Sequence, residues 1–164
     1  MQKNKTPIKK FKLILIPIFI ILLDQTTKLI ALKNISPTDQ YQIFSMLNLI
    51  LVFNPGAAFS FMADGYFWQK ITLIFVPTVS ILFFSYLIFY SRFEKHFKIS
   101  LAVIIGGASG NLIDRILYGH VIDFIDFHIN NHHWPTFNIA DTAITIGAII
   151  IIYYEFKTFF RKND

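Results

Sequence analysis

Asp123 and Asp141 are the residues best suited to chemistry in this chain. Asp123 lies in Val121-Ile122-Asp123-Phe124-Ile125-Asp126-Phe127, and Asp141 closes Phe137-Asn138-Ile139-Ala140-Asp141. Two carboxyl groups in a dry, confined site cannot both ionise, so one keeps a proton while the other acts as a base. That state suits hydrolysis by general acid–base catalysis. On one continuous helix the two would stand about 27 Å apart, at about 1.5 Å per residue, and could not cooperate. Between them, however, Asn130-Asn131-His132-His133-Trp134-Pro135 is a strong breaker. The chain can therefore fold back and bring both carboxyls to one depth. Asn138 and Asp141, three residues apart, are expected to share a helix face.

Other polar residues interrupt long apolar runs. Asp24 and Lys28 have i,i+4 spacing and can form a local ion pair. Asn111 shares a face with Asp114 and Arg115, three and four residues on. Arg115 cannot lose its proton, so it is expected to bind a carboxylate, backbone carbonyls or a substrate group. Ionisable groups at membrane depth cost about 2.5 to 3.5 kcal/mol on insertion scales, which makes each one a functional candidate. His128, His132 and His133 suggest a competing metal chemistry. No HExxH is present, and asparagines and Pro135 break the helix that would display the rings, so they are read as polar loop histidines. With no cysteine in the chain, disulfides, thiolate metal sites and a cysteine nucleophile are excluded. No GxGxxG or Walker-type loop is present.

The elements that must position these groups are membrane spans. More than half of the 164 residues are apolar, with 19 Phe against 10 acidic residues. Residues 71–90 carry no charge, and a helix of that length crosses a hydrocarbon core of roughly 30 Å. Four spans are expected, at about 11–32, 68–90, 99–117 and 137–156. Of the 15 basic residues, eleven fall on one side. These are Lys3, Lys5, Lys9, Lys10 and Lys12 before or at the very start of the first span, Arg92, Lys95 and Lys98 in the middle loop, and Lys157, Arg161 and Lys162 after the fourth. The positive-inside rule then puts both termini in the cytoplasm and residues 33–67 and 118–136 on the outer face. The net charge of +5 is thus an orientation signal and not a nucleic-acid footprint. The lysines and the apolar run 13–23 look like a secretory leader, but no small-x-small cleavage pattern comes after them, so the segment is expected to stay as the first span. Trp68 and Trp134 fall where interfacial aromatics anchor the outer boundary. Gly106 and Gly110 have the small-xxx-small spacing of close helix packing. Pro77 is expected to kink the second span.

From the residues alone, three readings stay open: an aspartyl hydrolase, a proton- or ion-coupled transporter, and a structural use of the charges. No internal repeat favours the transporter.

Five segments, in order, resemble the motifs of the lipoprotein signal peptidases, also called signal peptidase II. They are Asp24-Gln25-Thr26-Thr27-Lys28, Asn54-Pro55-Gly56-Ala57-Ala58-Phe59-Ser60, Gly106-Gly107-Ala108-Ser109-Gly110-Asn111-Leu112-Ile113-Asp114-Arg115, Val121-Ile122-Asp123-Phe124 and Phe137-Asn138-Ile139-Ala140-Asp141. The mild departure is Thr27, where the family often has Ser.

The resemblance implies an intramembrane aspartyl endopeptidase that cleaves prolipoproteins before a diacylglyceryl-modified cysteine. It implies Asp123 and Asp141 as the catalytic pair. Asn54, Gly56, Asn111, Asp114, Arg115 and Asn138 would support substrate, and Asp24 with Lys28 would help hold the site. Asp126 is similar to a position outside the pair. No metal or organic cofactor is expected. Prolipoproteins and membrane lipids are the expected partners, the enzyme is expected to be a monomer in the bacterial inner membrane, and inhibition by globomycin-type cyclic peptides follows from the resemblance.

The fold class so implied is an all-α membrane protein, a single domain over 1–164, with a small β-structured cradle in the first outer loop. The apolar run 49–53 and the turn Asn54-Pro55-Gly56 agree with such a cradle.

Overall fold

A computed structural model describes residues 10–56 and 67–163. Lys3, Lys5 and Lys9 and the segment Ala57-Ala58-Phe59-Ser60 lie outside the described residues. The described chain forms α1 (Lys10–Asn34), β1 (Tyr41–Phe44), β2 (Leu47–Asn54), α2 (Phe67–Tyr90), α3 (Lys95–Tyr118), β3 (Val121–Ile129), β4 (His132–His133) and α4 (Ile139–Asn163).

All four helices are long and apolar enough to cross a membrane. Their apolar side chains face outward as well as inward: Phe75, Leu82, Phe83 and Tyr86 on α2 are all exposed. Helices greasy on most sides are stable in hydrocarbon, where every backbone polar group is satisfied within the helix. Pro17 and Pro77 both sit inside helices, α1 and α2. Lys95 and Lys98 belong to the first turn of α3 and not to the loop before it, and the Lys98 ammonium turns back to donate to the Ser91 carbonyl at 2.8 Å.

Helix α3 is the hub, with α1, α2 and α4 packed against it. Small residues let it serve three neighbours. Gly106 faces Pro17 and Ile20 of α1, Gly107 faces the Ala140 carbonyl of α4, and Gly110 lies against the Asp24 carboxylate. At Gly110 close approach is the whole requirement, since an added Cβ would overlap the carboxylate oxygen. One apolar core (Leu13, Ile88, Leu101, Ala102, Ile105) joins α1, α2 and α3, and a second (Ala31, Ile35, Leu51, Ile122, Phe124) joins the end of α1 to the strands. The buried polar residues Asp24, Lys28, Asn111 and Asp114 lie between these two cores along α1 and α3.

The strands form one antiparallel sheet in the order β1-β2-β3-β4. The expected cradle is present and larger than the first outer loop alone would make it, because β3 and β4 come from the second loop. Val121, Ile122, Asp123 and Phe124 are all buried, so the start of β3 lacks the alternation of a half-exposed strand. The Asn130-Asn131 breaker is a hairpin turn, with Asn130 at φ 53°, a left-handed conformation that asparagine tolerates. Phe137 bridges to Ile125 of β3, and α4 starts later than expected, at Ile139.

Two glycines separate packing from strain. Gly119 ends α3 at φ 76° with open space around it, whereas Gly110 is crowded. Gly119→Ala is expected to lose ~1 kcal/mol of stability through backbone strain. Gly110→Ala is expected to lose ~3 kcal/mol through overpacking. Thermal unfolding in detergent checks the order, and equal losses would contradict it.

Candidate active site

Asp123 stands on β3 and Asp141 in the first turn of α4, and both line one cavity of about 1010 Å³. Asn138 links them. Its Nδ2 donates to Asp123 Oδ1 at 2.7 Å, while its Oδ1 accepts the Asp141 backbone N–H at 2.9 Å. In return Asp141 Oδ2 accepts the Asn138 N–H at 3.2 Å, a reciprocal capping box that starts α4. Asn138 thus precedes the helix and caps it, where a shared helical face was expected.

Each carboxyl has a second amide donor. Asn54 Nδ2 reaches Asp123 Oδ2 at 3.0 Å, and Asn111 Nδ2 reaches Asp141 Oδ1 at 2.8 Å. Gly56 donates its N–H to Asn54 Oδ1 at 3.0 Å and accepts from Arg115 Nη2 at 3.1 Å. Arg115, itself in the cavity wall, is therefore held by the Gly56 carbonyl, and its buried Nε has no partner among the described residues.

Beneath the cavity Lys28 is 1% exposed and meets three acceptors: Asp24 Oδ2 and Asp114 Oδ2 at 2.8 Å, and Asn111 Oδ1 at 3.0 Å. The expected Asp24–Lys28 pair is thus part of a larger buried network. Asp24 Oδ1 accepts the Ala140 N–H at 2.9 Å, and Asp114 Oδ2 the Ile122 N–H at 3.1 Å. These bonds fix the starts of α4 and β3, which carry the two cavity carboxyls.

A profile described as Signal peptidase (SPase) II matches residues 16–157. The chain belongs to the signal peptidase II family. The lipoprotein signal peptidase of Burkholderia thailandensis is 44% identical over 142 residues, covering 87% of this chain and 86% of that protein. That of Burkholderia mallei is 44% identical over the same span. A bacterial membrane enzyme solved by the in meso method at 2.3 Å superposes with a TM-score of 0.79 at 30% identity, covering 89% of this chain and 88% of that one. A second such enzyme, at 1.9 Å, gives 0.76 at 32% identity over 87% and 91%. Family members are aspartic peptidases that remove signal peptides from prolipoproteins, and this chain is a bacterial multi-pass membrane enzyme of that kind.

The residues expected from the signal peptidase motifs come together: Asp24, Lys28, Asn54, Gly56, Asn111, Asp114, Arg115, Asp123, Asn138 and Asp141 form one connected set of contacts. Asp126 lies apart, bonded to Asn48 and His133. The histidines, expected in a loop, instead lie in strands, His128 on β3 and His132 and His133 making up β4, because the chain pairs back on itself there; His133 bonds Asp126 and His128 the Asn130 carbonyl.

Sequence reasoning assigns no role to Gln25. Its Nε2 bridges Asp114 Oδ1 at 2.9 Å, the Gly110 carbonyl at 3.2 Å and Asp24 Oδ2 at 3.2 Å. The signal that could have found it is a polar side chain beside Asp24 inside an apolar span. Asn48, 1% exposed, and Thr136 in the cavity wall are likewise missed by sequence reasoning.

Burial pushes the Asp123 carboxyl up to about 6; the Asn54 bond counters it, and the charge of Asp141 adds to it. A raised acid favours the folded state below its unfolded value, and that contribution is lost as pH rises through the folded value. Wild type is therefore expected to lose stability relative to Asp123→Asn as pH rises from about 4 to about 6, by about 3 kcal/mol. Unfolding midpoints of both proteins across that window check this, and a pH-independent difference would contradict it. Lys28→Met would leave Asp24 and Asp114 buried without their cation, at a loss of about 3 to 5 kcal/mol. The exposed Lys33→Met should change stability by less than about 0.5 kcal/mol in the same assay.

Proposed function

We propose that Asp123 and Asp141 are the catalytic pair of this signal peptidase and that it cuts prolipoproteins just before the diacylglyceryl-modified cysteine. The observation that carries the reading is Asn138, one side chain bonded to both Asp123 and Asp141 at the wall of a single cavity. Asp123, raised to about 6 by burial, holds a proton under conditions where an ordinary carboxyl has lost it. Asp141 sits at the positive end of α4, with the Asn111 amide on Oδ1. In this reading one carboxylate takes a proton from water as it attacks the scissile carbonyl. The protonated partner polarises that carbonyl and then delivers its proton to the leaving nitrogen. Arg115 and the Asn54–Gly56 turn position the peptide.

The cavity supports a lipid-modified substrate. Its walls mix these polar groups with Val52, Phe53, Trp134, Pro135, Phe137, Ile144 and Ile146, and its volume of about 1010 Å³ is at the upper end of ordinary ligand sites, roughly 300 to 1,000 Å³. Basic residues flanking α1, the α2–α3 turn and the end of α4 support an orientation with both termini in the cytoplasm and the cavity towards the outer leaflet. In this reading the enzyme is a monomer acting on membrane-confined substrate. A globomycin-type cyclic peptide would occupy the same cavity.

Purified protein in detergent, given a diacylglyceryl-modified prolipoprotein, is expected to cut before the lipidated cysteine. Asp123→Asn and Asp141→Asn should bind it and reduce cleavage at least ~10³-fold. Retention of wild-type cleavage by either variant would remove that residue from the pair.

A further inference from the structure

The second buried polar cluster of the sheet lies away from the carboxyl pair. Asp126 is three residues past Asp123 on β3, so strand alternation turns it to the opposite face. It is 3% exposed, and its Oδ2 accepts Asn48 Nδ2 of β2 at 2.9 Å. His133 Nδ1 of β4 lies 2.8 and 3.0 Å from its two oxygens. One carboxylate thus cross-links three strands. Burial works against that carboxylate, but the His133 and Asn48 bonds outweigh it and hold the group below the usual carboxylate range. The His128 ring stacks on His133, with centroids 4.9 Å apart and planes at 22°.

The residues next in the chain after His133 give the cluster its importance. Trp134, Pro135, Thr136 and Phe137 are consecutive residues of the cavity wall. This strap is pinned at its far end by Phe137 against Ile125, and then runs through Asn138 to Asp141. At its near end β4 is two residues long, and the Trp134 N–H reaches the Phe127 carbonyl at 2.8 Å. So short a strand is weakly held by its own ladder. The side-chain bond from His133 to a buried, charged acceptor is the stronger restraint there.

We propose that Asn48, Asp126 and His133 form a clasp that presets the Trp134–Phe137 wall for the lipid-modified substrate. These are positioning residues: they hold the wall in its binding arrangement before substrate arrives and take no part in bond cleavage. Pre-organisation of this kind shows in affinity, because a loosened wall must be reordered on binding. The inference rests on the peptidase function proposed for the cavity.

Steady-state cleavage of a diacylglyceryl-modified prolipoprotein by the full chain separates the bond from the ring. His133→Phe keeps a ring to stack on His128 but has no donor, while His133→Asn keeps an amide donor near the Nδ1 position and loses the ring. His133→Phe is expected to raise KM roughly five- to tenfold with kcat within about twofold, and His133→Asn to restore most of the loss. Asp126→Ala should match His133→Phe, and the double variant should be no worse than either, as for residues acting in one unit. A KM that follows the ring instead of the donor, a fall in kcat at unchanged KM, or wild-type values throughout would overturn the clasp. Those results leave the peptidase reading standing; a wild-type chain that does not cleave would overturn that reading instead.

Discussion

Lys28 is a cation enclosed almost completely by protein at membrane depth, and it is tolerated there because three acceptors meet its three N–H groups. Each acceptor is itself the anchor of another element. Asp24 also takes the Ala140 N–H, so α1 holds the start of α4. Asp114 also takes the Ile122 N–H, so α3 holds the start of β3. Asn111 passes from Lys28 to Asp141. A buried charge with part of its partners missing is far more costly than the complete set. The network is therefore made whole or not at all, and the relative placement of α1, α3, β3 and α4 is made with it.

Lys28 and two backbone N–H groups give the site its polarity. Three asparagine amides, Asn54, Asn111 and Asn138, direct their nitrogens at the two carboxyls. An amide is nearly symmetric in shape, and its direction is fixed by a neighbour able to play one role. The oxygen of Asn111 faces the Lys28 ammonium, that of Asn54 the Gly56 N–H, and that of Asn138 the Asp141 N–H. All three neighbours are obligate donors. The amide nitrogens must then face the carboxyl oxygens, which orients Asp123 and Asp141 without adding a charge to the pair.

The helices were legible in the sequence because hydrocarbon allows one kind of long apolar segment, and 71–90 has no other use. The fold-back between Asp123 and Asp141 was legible from Asn130, Asn131 and Pro135. Its form was not. Residues 121–124 are buried on both faces, so the period-two alternation that marks a strand was absent there, and pairing with residues 47–54 spans a gap no local pattern reports. The i,i+4 spacing indicated the Asp24–Lys28 pair, but the Lys28–Asp114 pair, the bridge made by Gln25, the Asn48 bond and the His133–Asp126 bond were not legible because those partners lie far along the chain or across the sheet. Asn138 was expected on a helical face from its spacing to Asp141, whereas it is the cap, since its side chain satisfies the first turn that a continuing helix would have served.

The sheet also answers a problem that four helices alone would leave. The α3 C-terminus and the α4 N-terminus both end beside the cavity, and helix ends carry unsatisfied backbone groups that lipid cannot serve. Asp24, Asn138 and the αL turn at Gly119 take those groups up, and β3 then carries the chain across the opening. Because side chains alternate in direction along β3, one strand serves two purposes: Asp123 faces the cavity, and Asp126 three residues later faces the outer strands. Proton chemistry needs a dry, fixed carboxyl, and a lipid-bearing substrate needs a wall with apolar surface. On opposite faces of a single strand, Asp123 and Asp126 are each set by their own donors, the Asn54 and Asn138 amides on one side and Asn48 with His133 on the other.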